Sequence, residues 1–182
     1  MSGGEHRPRI LILPGVNGSG LDHWQTHWQR KLPGARRVEE EDWDHPRCDL
    51  WVAALEQAVA EAGPDTVLAA HSLGCLQVGH WAATTRRAVR GALLVAPPDP
   101  DRADFPDVIQ GFRPLPRQRL PFPSLLVASQ DDPYSSFAFA GQLAADWGST
   151  LIDVGCCGHI NAASGLGDWP FGQDCLRRLL AK

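Results

Sequence analysis

The chain has 182 residues, enough to bury the core of one domain but too few for two, and its 43% hydrophobic and 21% charged residues are ordinary globular composition. Its formal net charge is −4, and the arginine pairs Arg36-Arg37, Arg86-Arg87 and Arg177-Arg178 are isolated, so no basic face for nucleic acid is expected. No stretch approaches the ~18 apolar residues of a membrane span. Met1 to Arg9 is polar and lacks the pattern of a secretory signal.

Five cysteines (Cys48, Cys75, Cys156, Cys157 and Cys175) are an odd number without a C-x-x-C pair. This argues against a disulfide framework or a structural zinc site and fits a reducing cytoplasm.

Short apolar runs alternate with longer segments of helical period, the pattern of a parallel sheet wrapped by helices. Arg9–Leu13 reads as a strand ended by Pro14-Gly15, and residues 21–31 as a helix stopped by Pro33-Gly34. Cys48–Ala62 reads as a helix with Asp49 in its first turn, Trp51, Leu55 and Val59 on one face, and Gly63-Pro64 at its end. Residues 66–70 form the next expected strand. Residues 73–85 form a helix with Leu76, His80 and Ala83 near one stripe, and residues 92–96 another strand.

From Pro97 to Pro123 eight prolines preclude regular sheet or helix, and a passage that long inside a compact domain reads as a lid or pocket wall. Ser124–Ala128 is then a strand, residues 135–147 a helix, residues 150–154 a strand and residues 171–181 the closing helix. There is no internal repeat or linker. The fold class expected is α/β, with five or six parallel strands as the middle layer of a three-layer α/β/α sandwich and residues 1–182 as one domain.

Chemistry concentrates where the strand at residue 66 ends. Ala70-His71-Ser72-Leu73-Gly74 is a strand-to-helix turn close to the G-x-S-x-G elbow, in which a strained serine needs very small neighbours two positions away. Alanine replaces the first glycine, adding one methyl group. The plainer role for Ser72 is a helix N-cap. A serine hydroxyl needs a base to become a nucleophile. In proteins with such elbows the partners follow in the order serine, acid, histidine, the histidine after the last strand. His159, in Gly155-Cys-Cys-Gly-His-Ile-Asn161, fits that place.

The acid should follow a strand and fix the imidazole tautomer. Asp131 and Asp132, just past Ser124–Ala128, both qualify; one of them is expected to cap the following helix instead. Asp153 is a poorer candidate. The amides of Leu73 and Val16, the latter in the loop Pro14-Gly-Val-Asn-Gly-Ser-Gly20, are expected to form an oxyanion hole.

Rival motifs fit less well. The first loop lacks GK[ST], has G-x-x-G-x-G spacing, and Asp22 comes too early for a ribose acid, so a nucleotide loop is disfavoured. His23 and His27 are spaced as in H-E-x-x-H, but Trp24 stands where the glutamate must be. Cys75, Cys156 and Cys157 read as packing residues. Trp24, Trp28 and Trp51 suit helix faces on the sheet, while Trp43 and Trp169, in loops, suit either the core or a pocket wall.

Across nearly its whole length the chain resembles the small YdeN-like serine hydrolases, the family that includes retinoblastoma-binding protein nine. The likeness rests on Leu13-Pro-Gly-Val-Asn-Gly-Ser-Gly20 with His23-Trp24-Gln25, His71-Ser-Leu-Gly74, Leu120-Pro-Phe-Pro-Ser124 and Asp132-Pro133. It continues in Ala145-Asp-Trp-Gly148, Gly158-His-Ile-Asn-Ala162 and Gly165-Leu-Gly-Asp-Trp-Pro170.

The resemblance implies a minimal α/β-hydrolase fold without a large cap and a triad of Ser72, Asp132 and His159, because the family's acid directly precedes the proline. It leaves the substrate open. The expected activity is serine-hydrolase cleavage of an ester, thioester or amide bond in a small molecule, carboxylesterase-like, with no cofactor or metal. The alternatives are an acyltransferase using the same residues and a non-catalytic protein-interaction module on the same fold.

Overall fold

Alternation along the strands builds the molecule. In the sheet, Leu11, Leu13, Leu68, Ala70, Leu94 and Leu126 point to one face, and Ile10, Ile12, Val67, Ala69, Leu93 and Val127 to the other. Both sets are buried, so the strands read as near-continuous apolar runs, as parallel strands covered on both sides do. The computed structural model describes residues 9–181. The polar N-terminal run lies outside them except for Arg9.

Six parallel strands form one sheet, β1 (Arg9–Leu13), β2 (Ala35–Arg37), β3 (Thr66–His71), β4 (Gly91–Val95), β5 (Ser124–Ala128) and β6 (Thr150–Asp153), in the order β2-β1-β3-β4-β5-β6. Helices α2 (Cys48–Ala62), α3 (Leu73–Thr84) and α4 (Phe137–Trp147) pack on one face. Helices α1 (Trp24–Lys31) and α5 (Pro170–Leu180) pack on the other. This is the three-layer α/β architecture of the α/β hydrolases. The chain leaves β1 in one direction for β2 and returns in the other for β3. The carboxyl ends of β1 and β3 therefore flank a topological switch point, where open α/β sheets leave a crevice.

Several expectations shift. The short edge strand Ala35–Arg37 gave no apolar run to read, because it is only half-buried. Helix α1 starts at Trp24 rather than residue 21 because His23 takes the N-cap, its Nδ1 accepting from the Gln25 amide. Ser136 likewise caps α4, so neither Asp131 nor Asp132 does. Helix α3 has no Leu76–His80–Ala83 stripe: Leu73 to Gly79 are all buried and Ala83 is exposed, because the helix is enclosed almost all round at its start. Trp43 and Trp169 pack against the two cores, and Cys156 is exposed rather than packed.

The passage from Pro97 to Pro123 divides in two. Phe112, Leu115, Leu120 and Phe122 fill the core over α3 and α4, while residues 98–109 border a cavity above the sheet. Among the described residues no helix is long and apolar enough to cross a membrane.

Candidate active site

The turn after β3 is held in a conformation its sequence alone would not choose. Ser72 has φ 54° and ψ −124°, outside the regions favoured by non-glycine residues. Packing enforces it: a Cβ on Gly74 would run into the Leu13 carbonyl, and one on Gly15 would lie 2.9 Å from Ser72 Cβ. Ala70 is fully buried and its methyl group fits. Ser72 stands at the N-cap position of α3, yet its side chain makes no cap bond and is free to turn outward.

That hydroxyl donates to His159 Nε2 at 2.9 Å. On the far side of the ring, His159 Nδ1 meets Asp132 Oδ2 at 2.9 Å and Oδ1 at 3.0 Å. A carboxylate only accepts, so Nδ1 carries the ring proton and Nε2 is left with its lone pair toward Ser72. The His159 and Asp132 side chains are 8% and 3% exposed, which shields the pair from solvent. Asp132 also accepts from the Tyr134 amide at 2.9 Å, and the Tyr134 ring stands edge-on to His159.

Two further histidines crowd the site. His71 donates through Nε2 to the His159 carbonyl at 2.8 Å, and complete burial pushes its pKa well below the ordinary value, helped by the neighbouring His23 and His159. Burial, followed by the charges of Arg37 and His159, pushes His23 down to about 3. Both rings are therefore neutral at physiological pH. The His23 and His27 pair does not converge: His27 binds Asp168 at 2.9 Å instead.

Leu73 opens α3 and Val16 opens the 3-10 turn Val16–Gly18, so each amide has no partner within its own helix. Gly15 brings the two loops together, since a Cβ there would lie 3.2 Å from Leu73 N. The cavity above Ser72 measures about 660 Å³. Val16, His71, Ser72 and His159 line it, and from residues 98–109 the apolar Phe105, Val108 and Ile109 line it beside the charged Asp99, Arg102 and Asp104.

This architecture has known relatives. The sequence profile of the serine hydrolase family matches residues 10–178. The chain belongs to the serine hydrolase family. YdeN of Bacillus subtilis strain 168, which carries the name of a hydrolase, is 25% identical over 96% of this chain and 97% of its own. The crystal structure of a YdeN-like hydrolase from Pectobacterium atrosepticum is 34% identical, with a TM-score of 0.84 over 95% of this chain and 90% of that one. The Bacillus subtilis YdeN structure superimposes with a TM-score of 0.75 at 23% identity, covering 97% of this chain and 100% of that one.

Within this serine hydrolase some supporting residues escaped sequence reasoning. Gln25 is fully buried; its Nε2 donates to the Leu13 and Ala69 carbonyls, both at 3.0 Å, and its Oε1 accepts from Ser19 at 2.7 Å. It thereby clamps the ends of β1 and β3 beneath the first loop. Only the His23-Trp24-Gln25 likeness signalled it. Arg37 fixes the same loop through the Gly18 carbonyl and Thr26 Oγ1. Of the two candidate acids, Asp132 faces the imidazole, and Asp131 turns to the Gly158 amide.

Proposed function

We propose that this hydrolase cleaves an ester, thioester or amide of a small molecule through an acyl-enzyme on Ser72, with His159 as general base and acid and Asp132 as its orienting carboxylate. The supporting observation is the unbroken line of hydrogen bonds from Ser72 to Asp132, opening on the cavity at the sheet's switch point.

In the first step Ser72 Oγ attacks the carbonyl carbon while His159 Nε2 takes its proton. The ring becomes an imidazolium whose Nδ1–H stays on Asp132. The oxyanion rests on the amides of Leu73 and Val16, where losing one donor costs about 2.7–4 kcal/mol in the transition state. His159 then protonates the departing alcohol, thiol or amine, and the same nitrogen activates the water that releases the acid. Neutral His23 and His71 suit this cycle, because a charged neighbour would oppose the imidazolium. The steps require no metal or organic cofactor.

Phe105, Val108 and Ile109 favour an apolar acyl or alcohol group, in keeping with a carboxylesterase-like preference. The five free cysteines suit a reducing, cytoplasmic setting.

A fluorophosphonate probe tests the reading directly. One adduct is expected on the Ser72 peptide, with hydrolysis of a model ester, and Ser72→Ala should lose both, its rate falling by about 10⁴-fold or more. Folded protein that takes no label and turns over no ester would replace this reading with the interaction module.

A further inference from the structure

We propose that Asp131, acting with Ser129, is a positioning residue for His159: it holds the backbone of the loop whose side chain Asp132 orients. This rests on the role given above to His159.

The loop after β6 has little conformational reason to keep its shape. Gly155 and Gly158 have φ of 68° and 56°, and the β-branched Ile160 is held at 48°, a region such residues avoid. Bonds within the loop close short turns, Ile160 N on the Cys157 carbonyl at 3.2 Å among them, and four successive residues are tied from outside. Cys157 N donates to Ser129 Oγ at 2.9 Å, and Gly158 N donates to Asp131 Oδ1 at 2.8 Å. The carbonyls of His159 and Ile160 accept from His71 Nε2 at 2.8 Å and Trp24 Nε1 at 2.9 Å.

The two amide ties form one unit: the one proton of Ser129 Oγ has two acceptors in reach, Asp131 Oδ1 at 2.7 Å and the Gly155 carbonyl at 3.1 Å, and the shorter bond goes to the carboxylate. Ser129 is 2% exposed, so its hydroxyl is shielded from water, while Asp131 lies at the surface and its bond to Gly158 is exposed. Hydrogen bonds to an ionised carboxylate are about twice as strong as neutral ones. Those same bonds, from Ser129 first and Gly158 next, hold the Asp131 carboxyl below its ordinary range, so it remains ionised wherever the enzyme works.

The consequence is geometric. Asp131 and Asp132 are adjacent on the segment leaving β5. One fixes the main chain of the His159 loop and the other fixes the ring. Ring and carboxylate therefore share one frame, and the 2.9 Å reach from Nε2 to Ser72 is set before substrate arrives. A displacement of 1 Å in such a constellation costs on the order of 10²-fold in rate.

Three substitutions separate holding from charge, Asp131→Ala removing both the charge and the acceptor. Asp131→Asn removes the charge but keeps an acceptor oxygen, and Ser129→Ala keeps the charge but removes the Cys157 tie and the bond to Asp131. The readouts are kcat and KM on a model ester, and the downfield proton resonance of His159 Nδ1, which reports its bond to Asp132 without any substrate.

Asp131→Asn should stay within about tenfold of wild-type kcat and keep the resonance. Ser129→Ala and Asp131→Ala should lose kcat, the latter on the order of 10²-fold, with KM little changed and the resonance shifted or lost. Equal losses in Asp131→Asn and Asp131→Ala, or a normal resonance and kcat in Asp131→Ala, would overturn the assignment. Failure of the triad reading looks different: wild type would leave Ser72 unlabelled, while the resonance still judges the positioning of His159.

Discussion

On one side of the cavity the first loop, the turn at Ser72 and the His159 loop are held by hydrogen bonds, many of them buried, whereas on the other side residues 98–109 are held by Phe105 in the core, short turns and a few ties such as Asp99 N to the Tyr134 carbonyl and Arg113 to the Phe105 carbonyl. The first side is over-determined. Gln25, His71, Trp24, Ser129 and Asp131 each fix a particular carbonyl or amide, and Gly15 and Gly74 leave no room for a Cβ. The second side hangs on Phe105 in the core, with Arg113 over its ring at 4.9 Å, and on the pairing of Gln110 with Pro46 and Cys48. Its tip at Val108 is 48% exposed. Reacting atoms need a fixed frame, while substrate choice needs only a surface of the right shape. On the mechanism proposed, the two sides divide those tasks.

The largest effect after loss of Ser72 itself is expected on the fixed side. Gly74→Ala would drive a methyl group into the Leu13 carbonyl, which is backbone and has nothing flexible to yield. Overpacking of this kind destabilises by about 1–3 kcal/mol, and the tilt it forces on Ser72 should lower kcat on the order of 10²-fold. Thermal melting and ester kinetics measure the two. A variant with wild-type stability and rate would mean that the frame is looser than its contacts imply.

Phe105→Ala probes the other side and should act differently. Removing the ring enlarges the cavity on this wall and also takes away the wall's anchor in the core, so stability falls as well. Labelling of Ser72 by a small fluorophosphonate should hardly change, while kcat/KM for long-chain over short-chain esters rises roughly tenfold. Equal change in labelling and in chain-length preference would show that the wall also supports the reacting groups.

The same division governs what could be read from the sequence. A small alanine and a glycine two residues either side of a serine, and a histidine after the last apolar run, are local patterns, so Ser72 and His159 were legible as candidates. The choice between Asp131 and Asp132 was open on spacing alone, because adjacent residues share every pattern. It depends on which carboxylate meets the ring and which meets the Gly158 amide, 27 positions away. Only the resemblance, through Pro133, pointed to Asp132. Ser129, and Gln25 but for the likeness around it, were invisible because a buried polar residue looks like a surface one in the sequence. Ala35–Arg37 was missed for the converse reason, being a strand made of half-exposed basic residues. The pocket wall was legible as a segment, from its prolines, but not in its division between cavity lining and core.

The smallest effect expected comes from one of two places, among the described residues, where the fixed side is not satisfied, the other being His23 Nε2. Gln77, on the helix that begins after Ser72, donates to Glu40 at 2.8 Å and to the Trp51 carbonyl, but its own Oε1 is buried without a partner. Burial pushes the Glu40 carboxyl up to about 8, against the opposing bond from Gln77. Folded protein therefore keeps a proton on Glu40 that the unfolded chain gives up near 4.5. Between those values the folded state binds more protons, so this group's contribution to stability is full below about pH 4.5 and declines as pH rises toward 8. Glu40→Gln imitates the protonated form and removes the dependence. Its Tm should match wild type near pH 5 and exceed it near pH 8 by on the order of 2–4 °C. Melting across that range decides it: parallel wild-type and variant curves would mean that Glu40 is ionised in the fold and that solvent reaches the region behind the elbow.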